Sequence, residues 1–328
     1  MTKPDISIII PVYNVKEFLR EALDSAINQT LKNIEIICVD DCSTDGSLDI
    51  LYEYANKDSR IKVIEQKQNK GEVVAKYTGA KIAKADYIAT IDPDDWVQPN
   101  AYQCMLEKAL EVNADVVVCN LHNIDEYGNL LDKWNMIDES MAINDKYLDE
   151  SNIVRLNPAT INKIIKKDLY LNALNFKERD VWKDMLQYWR CYTTKHCRAV
   201  FLTDHFYMYR IRHNSITHTP ISRREHFQQF CKTIDLRLKY LLENNSYVKY
   251  KSVFWSQILS WKDCFETAYD VNKIVEIAKK YKIKKSDYYI LLKNNNNFIQ
   301  TIFSIKNEYR SNTKYKVLTI LGIKIKFR

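Results

Sequence analysis

Apolar runs alternate with amphipathic segments from Ile6 to Asn120. Near-continuous apolar runs predict buried strands at "ISIIIPVY", "IEIICV", "IKVIE", "YIATI" and "DVVVCN". Between the first two runs, apolar residues recur at helical spacing, namely Phe18, Leu19, Ala22, Leu23, Ala26 and Ile27. Similar helical patterns separate the later runs. We therefore expect an α/β fold with a mostly parallel sheet that is covered by helices on both faces.

Two groups of acidic residues follow strands of this predicted sheet. Asp40 and Asp41 end the second apolar run within "VDDCSTD", and Asp92, Asp94 and Asp95 follow the fourth within "TIDPDDW". The carboxyl ends of parallel strands meet at one edge of a sheet, where α/β proteins bind their ligands. We therefore expect both acidic groups to open onto one crevice.

The rest of the chain has a different character. Residues 121–220 mix short helical and strand-like patterns, whereas residues 221–328 are mainly helical and end in a pattern typical of a small hairpin near Gly322. The last segment holds 22 Lys and Arg against 9 Asp and Glu, a charge of +13, and residues 1–220 carry −6. These differences predict two domains, 1–220 and 221–328.

Composition excludes several classes of protein. None of the five glycines is spaced as in a dinucleotide-binding GxGxxG motif or a P-loop. The eight cysteines form no C-x-x-C pair, which argues against a zinc site or a disulfide framework. The start lacks the features of a signal peptide, and no apolar run reaches the ~18 residues of a membrane-spanning helix. We therefore expect a cytoplasmic protein with reduced thiols.

The carboxylates of "DPDD" suit a hard divalent cation, which prefers oxygen ligands. An EF-hand calcium loop is excluded, because Val97 stands where that loop needs glycine and Gln103 where it needs glutamate. One or two carboxylates that share an ion with substrate phosphates are typical of Mg²⁺ or Mn²⁺. The alternative is a solvated acidic turn that caps the helix predicted to open at Pro99.

The aspartates of "VDDCSTD" offer acceptors, since an ionised carboxylate only accepts hydrogen bonds. The N3–H of uracil is a donor, so Asp40 or Asp41 could recognise this base. The alternative is a capping group for the following helix, which we expect Ser43 or Thr44 to cap, with Asp45 beside them.

Five segments occur in a fixed order between residue 6 and about residue 218. They are "SIIIPVYN", "AINQTLKNIEIICVDDCSTDGS", "NKGEVVAKYTGAKIAKADYIATIDPDDW", "NKIIKKDLYL" and "YRIRHNSIT". In this order they resemble the family 2 glycosyltransferases, which have the GT-A fold. The chain looks most like bacterial members that build capsule or other surface polysaccharide, or lipooligosaccharide. The resemblance implies a nucleotide-sugar-binding catalytic domain of the GT-A type over residues 1–220.

The resemblance also implies roles at the ends of the first two strands. Pro11, Tyr13 and Asn14 would line the nucleotide pocket. Asp41 would bind the nucleotide base, with Asp40 as the second choice.

At the end of the fourth strand, Asp92 and Asp94 match the family's DxD motif, which holds the metal ion and the ribose and diphosphate. Asp95 would face the same site. Lys76 stands where the family usually has arginine, so it keeps a positive charge near the diphosphate without arginine's two-pronged geometry. Trp96 could stack on a sugar face or anchor the following helix.

An inverting transfer needs a base that takes the acceptor's hydroxyl proton during attack. In the family this base is the aspartate of a Glu-Asp pair, which the resemblance assigns to Asp184 in "VWKDMLQYW". Lys183 replaces the usual glutamate, so Asp180 and Glu178 are alternatives. An acid that merely stabilises a helix N-terminus is the structural alternative.

The last matching segment, "YRIRHNSIT", could close over the diphosphate through Arg212, His213 or Ser215. For His213, contact with phosphates or solvent is favoured over metal ligation.

The basic region favours an anionic partner. No nucleic-acid-binding signature accompanies it, so we expect no nucleic acid partner. An anionic membrane surface would suit a transferase that extends lipid-linked glycans, and predicts peripheral association with the inner face of the membrane. The alternative is a solvated basic face on a helical region.

We therefore expect a metal-dependent, inverting glycosyltransferase that uses Mn²⁺ or Mg²⁺. It would move a hexose or N-acetylhexosamine from a UDP-sugar to a glycan or lipid-linked glycan acceptor. A non-catalytic nucleotide-sugar-binding relative and a nucleotidyltransferase are the alternatives, although the latter usually has a Gly-rich loop where this chain reads "PVYNVKEF". The sequence leaves the donor sugar, the acceptor and the linkage open.

Overall fold

A computed structural model of the chain describes residues 2–134, 160–173, 190–191, 193, 197–212, 223–260, 268–294, 303–310, 313–320 and 323–327. The chain divides into two compact units, Met1–Pro220 and Ile221–Arg328. Each unit has its own sheet and helices.

The first unit contains one large mixed sheet. Its strands in the described residues are β1 Ile6–Val12, β2 Ile34–Asp40, β3 Ile61–Glu65, β4 Tyr87–Thr90, β5 Trp96–Val97, β6 Val116–Ile124, β7 Leu130–Trp134, β8 Lys163–Lys166 and β9 Ala199–Arg210. The spatial order is β3-β2-β1-β4-β8-β6-β9-β5, with β7 paired to β6. Neighbours among β1 to β4 are parallel, as are β6 and β9, whereas β5, β7 and β8 run antiparallel to their partners.

Helices cover both faces of this sheet. Within the described residues they are α1 Lys16–Ile27, α2 Ser47–Lys57, α3 Glu72–Ile82, α4 Ala101–Glu111 and α5 Lys167–Ala173. Every residue of β1 is buried, and its alternate side chains face opposite ways. Ile8 and Ile10 join the core cluster that contains Leu19 and Leu51, whereas Ile9 lies against α3. The predicted α/β fold with helices on both faces is therefore confirmed.

Helix α3 lies unusually close to β1. A Cβ atom on Gly79 would come within 2.8 Å of Ile9 Cγ2, a distance that no ordinary side-chain contact allows. Lys76 lies three positions earlier and so shares this buried face of the helix. The close approach therefore carries a buried lysine towards the end of β4.

One local prediction was wrong, and one strand was not predicted. Helix α2 begins at Ser47 and is not capped by Ser43 or Thr44, because Gly46 adopts a left-handed conformation with φ of 92° and delays the helix. Asp45 Oδ1 instead accepts the N–H of Ser47 at 2.9 Å. Strand β8, with four residues in an irregular stretch, was too short to predict from periodicity, yet it lies antiparallel between β4 and β6.

The second unit contains four helices among its described residues: α6 Arg223–Glu243, α7 Tyr247–Ser260, α8 Ala268–Lys280 and α9 Lys285–Asn294. Aromatic residues link these helices, since the ring centres of Trp255 in α7 and Tyr288 in α9 lie 5.7 Å apart. Asp287 in α9 accepts a hydrogen bond from Lys251 in α7 at 2.9 Å. No helix among the described residues is both long and apolar enough to cross a membrane.

The end of the chain forms a three-stranded antiparallel sheet, with β10 Phe303–Arg310, β11 Thr313–Ile320 and β12 Ile323–Phe327 in that spatial order. The pattern near Gly322 predicted only the β11–β12 hairpin. The additional strand β10 pairs with β11 along its whole length.

Candidate active site

Three neighbouring strands bring both acidic groups to one edge of the large sheet. In the register, Val12 of β1 lies beside Asp40 of β2, and Ile9 of β1 lies beside Thr90 of β4. The N–H of Asp41 donates to the Val12 carbonyl at 2.7 Å, which continues the pairing past the strand end. Since β2 and β4 flank β1, their ends are two strand spacings apart, about 10 Å.

Asp40, the last residue of β2, and Asp41 after it are equally buried, at 2% exposed, but differ in their partners. Asp41 accepts the backbone N–H of Lys70 at 2.8 Å and of Gly71 at 2.7 Å, so both of its oxygens hold the loop before α3. Asp40 Oδ2 accepts two backbone N–H groups of the loop that follows β2. Its buried Oδ1 has no partner among the described residues. Asp40 therefore keeps an open acceptor, meaning a buried oxygen without a hydrogen-bond donor, at this edge.

The turn after β1 lies beside that loop. Pro11 is buried, Tyr13 is 49% exposed, and Asn14 adopts a left-handed conformation with φ of 48°. Asn14 Oδ1 accepts the N–H of Thr44 at 2.7 Å, and the Asn14 N–H donates to Ser43 Oγ at 3.1 Å. Asn14 thus ties the β1 turn to the loop after β2, while the Tyr13 ring stays accessible.

The "DPDD" turn after β4 holds two partly exposed carboxylates. The Asp92 side chain is 26% exposed and its Oδ1 accepts the Lys76 ammonium at 3.0 Å. The Asp94 side chain is 17% exposed and its Oδ2 pairs with Arg212 Nη2 at 2.5 Å. Within the described residues, Asp92 Oδ2 and Asp94 Oδ1 receive no hydrogen bond. Each carboxylate therefore keeps one oxygen for a ligand.

The pKa values of Asp92 and Asp95 are raised, in part by repulsion between neighbouring carboxylates. Burial raises the pKa of Asp92 to about 7; Lys76 opposes this rise, and the charges of Glu72 and Asp94 add to it. Burial, together with the charges of Asp94 and Asp92, also holds the pKa of Asp95 well above its usual range. A bound cation would favour the ionised carboxylates and so relieve this repulsion.

Lys76 lies beneath the acidic turn. Its side chain is 1% exposed, and its ammonium contacts Asp92 at 3.0 Å, Thr160 Oγ1 at 2.5 Å, and Glu72. A buried charge of this kind is stable only with such partners. Lys76, which we expected near the diphosphate, thus compensates the charge of Asp92 from inside the protein.

Asp95 and Trp96 join the turn to β9. Asp95 Oδ2 accepts the Tyr207 hydroxyl at 2.8 Å, and its Oδ1 accepts the backbone N–H of Arg210 at 2.8 Å. Asp95 is 2% exposed, so its carboxylate lies inside the turn. Trp96 pairs with Met208 in the β5–β9 ladder, and its buried Nε1 has no partner among the described residues.

The acidic turn fits part of a divalent metal site. Its free donors are carboxylate oxygens, the ligands that Mg²⁺ and Mn²⁺ prefer. Within the part of the chain that the structure describes, no group of three or more His, Cys, Asp or Glu side chains could hold a metal ion. Asp92 and Asp94 therefore fit an ion that is shared with phosphate oxygens better than one enclosed by protein.

Several predicted residues lie outside the described residues. They are Asp184, its alternatives Asp180 and Glu178, and the loop residues His213 and Ser215. Their roles remain predictions from the sequence. Arg212 is described, and its guanidinium lies 5.1 Å from the centre of the Phe18 ring in addition to pairing with Asp94.

The structure adds residues that sequence analysis missed. Tyr207 and Arg210 of β9 and Thr160 before β8 all contact the acidic turn or its buried lysine. Arg210 had a signal, because it lies in "YRIRHNSIT" two residues before Arg212 and so on the same side of an extended chain. Thr160 had none, since an isolated threonine has no pattern.

The sequence of this chain is similar to those of known glycosyltransferases. A family model described as glycosyl transferase family 2 matches residues 7–170. The glycosyltransferase GlyG of Streptococcus pneumoniae serotype 4 is 33% identical over 222 residues, which are 65% of this chain and 73% of that protein. Residues 7–170, which the family model matches, include both acidic groups.

Two solved structures have a similar fold. TarS of S. aureus in complex with UDP-GlcNAc has a TM-score of 0.63 at 17% identity and covers 99% of each chain. The mannosyltransferase PcManGT of Pyrobaculum calidifontis, in complex with GDP-Man and Mn²⁺, has a TM-score of 0.53 at 14% identity, over 89% of this chain and 79% of that one. At these identities the likeness concerns the fold alone.

Proposed function

Because the chain belongs to glycosyl transferase family 2, we propose that it transfers a hexose or N-acetylhexosamine from a UDP-sugar to a glycan acceptor, with inversion at the anomeric carbon. One observation carries the proposal. The acidic groups after β2 and β4 lie on either side of β1 at one edge of the sheet, and each presents carboxylate oxygens without internal partners. A nucleotide base and a diphosphate need such groups at such a separation.

The nucleotide would be bound from both sides of the β1 turn. Asp40 Oδ1 is an open, buried acceptor of the kind that the uracil N3–H requires, and Asp41 fixes the adjoining loop. Tyr13 is accessible beside them for contact with the base or ribose. The binding of UDP-GlcNAc by TarS, which has this fold, supports a UDP-sugar as donor.

Asp92 and Asp94 would hold a Mn²⁺ or Mg²⁺ ion together with the diphosphate. When bound, such an ion neutralises the charge that develops on the departing diphosphate. Lys76 favours the ionised form of Asp92 from beneath, and Arg212 pairs with Asp94. The Mn²⁺ in the PcManGT complex supports this part of the proposal.

Transfer also needs a group that takes the acceptor's proton. We assign this role to Asp184 from the sequence, with Asp180 and Glu178 as alternatives. A carboxylate of ordinary basicity can accept the proton of the attacking hydroxyl as the bond to the diphosphate breaks. We place the reaction in the synthesis of a bacterial surface polysaccharide, such as capsule or lipooligosaccharide.

Exchange of Asp94 tests the central claim. Asp94→Ala removes a free carboxylate oxygen and should lower transfer on the order of 100-fold or more, because the metal ion that neutralises the diphosphate would lose a ligand. The first assay is a donor screen with UDP-galactose, UDP-GalNAc and UDP-GlcNAc in the presence of Mn²⁺, measured as UDP release. Chelation should abolish the release.

Asp86→Ala is a matched control for this test. Asp86 precedes the opposite end of β4 and forms an exposed ion pair with Lys3 at 2.6 Å, so its loss should leave transfer intact. Full activity of Asp94→Ala, or of the wild type in chelator, would contradict the metal role.

The basic second unit supports a further proposal, association with anionic membranes. Its residues 221–328 hold 22 Lys and Arg against 9 Asp and Glu, a charge of +13. A charge of this size and sign suits an anionic membrane surface.

A further inference from the structure

Arg210 ends β9 and is almost completely buried, at 3% exposed. Its backbone N–H donates to Asp95 Oδ1 at 2.8 Å, and its Nε donates to the backbone carbonyl of Asp94 at 2.8 Å. One residue thus holds the "DPDD" turn at two consecutive positions. Neither bond uses the Asp94 carboxylate, whose Oδ1 stays available to a ligand.

The other end of the Arg210 guanidinium reaches two further elements. Nη1 donates to the backbone carbonyls of Glu126 at 2.7 Å and Asp125 at 3.2 Å, in the hairpin between β6 and β7. Nη2 pairs with Glu21 in α1, and the guanidinium lies 5.0 Å from the centre of the Phe18 ring. Arg210 therefore links the acidic turn to α1 and to the hairpin.

Only arginine can form this set of contacts. Its guanidinium is planar, permanently charged and carries five N–H donors in a fixed arrangement, so several acceptors fix its position at once. Lysine would keep the charge but could not span the Asp94 carbonyl, the hairpin carbonyls and Glu21 together. The Asp94 peptide is consequently held in one orientation, and its side chain follows.

We propose that Arg210 is a positioning residue for the metal-binding carboxylate, which acts by fixing the Asp94 peptide against α1 and the β6–β7 hairpin. Arg212 differs, because it pairs with the carboxylate of Asp94 itself and is 25% exposed. This inference rests on the proposed function, in which Asp94 and Asp92 share a divalent ion with a diphosphate. Mutation of a residue that orients a metal ligand typically lowers the metal affinity about 10- to 100-fold.

The test is the variant Arg210→Lys, with Arg198→Lys as the matched control. Arg198 precedes the other end of β9 and binds Asp115 through two nitrogens at 3.2 Å, remote in sequence and strand position from the acidic turn. Mn²⁺ binding is measured by the loss of free-ion EPR signal, with and without UDP, and thermal stability is measured alongside.

Arg210→Lys should weaken Mn²⁺ binding about tenfold or more relative to the wild type. It should raise the KM for Mn²⁺ more than it lowers kcat at saturating Mn²⁺, whereas Arg198→Lys should change only the melting temperature. Equal Mn²⁺ affinities in the two variants would overturn the inference and leave Arg210 a purely structural residue.

Glu21→Gln decides the matter if Arg210→Lys does not fold. Glu21 is half exposed, so its exchange should be tolerated, yet it removes the charged partner of Arg210. Weaker Mn²⁺ binding in this variant supports the inference, and unchanged binding overturns it. Wild-type protein that binds Mn²⁺ but transfers no sugar would refute the proposed function alone; wild-type protein that binds no Mn²⁺ would refute both.

Discussion

Asp40 and Asp41 show how neighbouring carboxylates of equal burial can have distinct tasks. Both oxygens of Asp41 accept backbone N–H groups from the loop before α3, whereas Asp40 Oδ1 has no partner among the described residues. Burial of an acceptor without a partner is costly unless a ligand satisfies it. We infer that Asp41 organises the pocket and that Asp40 offers the open acceptor.

This inference predicts the behaviour of Asp40→Asn. The amide oxygen can still accept the loop N–H groups, but the amide nitrogen would then present a donor to the uracil N3–H. UDP should bind about 10- to 100-fold more weakly, the loss expected for a mismatched buried hydrogen bond. Titration calorimetry with UDP and Mn²⁺ measures the affinity, and the melting temperature should stay nearly constant.

Asp41→Asn is the companion variant. It should lower the melting temperature and the UDP affinity together, because one of two backbone N–H groups of the loop loses its acceptor. If Asp40→Asn binds UDP normally while Asp41→Asn loses affinity without loss of stability, then Asp41 is the residue that recognises the base.

Asp184 is the residue that we propose as the general base, which takes the proton of the acceptor hydroxyl. Asp184→Asn should fold and bind the nucleotide but transfer sugar roughly 10²- to 10⁴-fold more slowly, since an amide cannot accept the proton. Single-turnover rates with saturating donor measure this step. Near-normal turnover would move the role to Asp180 or Glu178, whose Asn and Gln variants are the controls.

At the scale of elements, the contact between α3 and β1 positions a residue of the site. Gly79→Ala would place a Cβ 2.8 Å from Ile9 Cγ2, so the helix must shift outward. We expect a loss of about 1–3 kcal/mol in the free energy of unfolding, the usual range for overpacking. The gain in helix propensity from alanine offsets only part of this loss. Urea denaturation measures it.

The Ile9→Ala background supplies the control for that prediction. If the cost of Gly79→Ala comes from the clash with Ile9, it should shrink when the branched side chain is absent, as a non-additive double-mutant cycle. Nucleotide affinity should fall in Gly79→Ala as well, because Lys76 on the same face would move away from Asp92. Equal costs in both backgrounds would exclude the proposed clash.

The elements also show what sequence patterns can and cannot reveal. Strands β1 and β2 and helix α1 followed from periodicity, because each is long and buries a regular set of side chains. The shorter strands β3 and β4 followed from their places in the regular alternation of strands and helices. Strand β8 did not, because its four residues are fixed by pairing on both sides rather than by their own pattern. The start of α2 depends on the conformation of Gly46, which composition alone does not set.

The candidate site also has residues that could be predicted from the sequence and residues that could not. Both acidic groups could be placed from their positions after apolar runs, since parallel strands meet at one edge. Their internal partners could not, because Tyr207 and Arg210 are more than 100 residues away in sequence from Asp95 and reach it only through the pairing of β9 with β5. Burial of Asp95 therefore became visible only in the folded structure.

At the scale of the whole molecule, the uneven charge has a measurable consequence. Residues 221–328 carry +13 and residues 1–220 carry −6, so attraction to an anionic surface should be concentrated in the second unit. Each Lys or Arg near such a surface contributes about 1 kcal/mol, and the attraction acts over a Debye length of roughly 10 Å at 0.1 M salt.

The full chain should therefore sediment with vesicles that contain an anionic lipid and stay in solution with purely zwitterionic vesicles. Salt near 1 M should release it, because the Debye length falls to about 3 Å. Replacement of Lys306, Lys324 and Lys326 by Glu should weaken sedimentation without changing the release of UDP from the donor during transfer to a soluble acceptor, since these residues belong to a separate sheet. Indifference to anionic vesicles at low salt would refute membrane association, and equal binding to zwitterionic vesicles would refute its electrostatic origin.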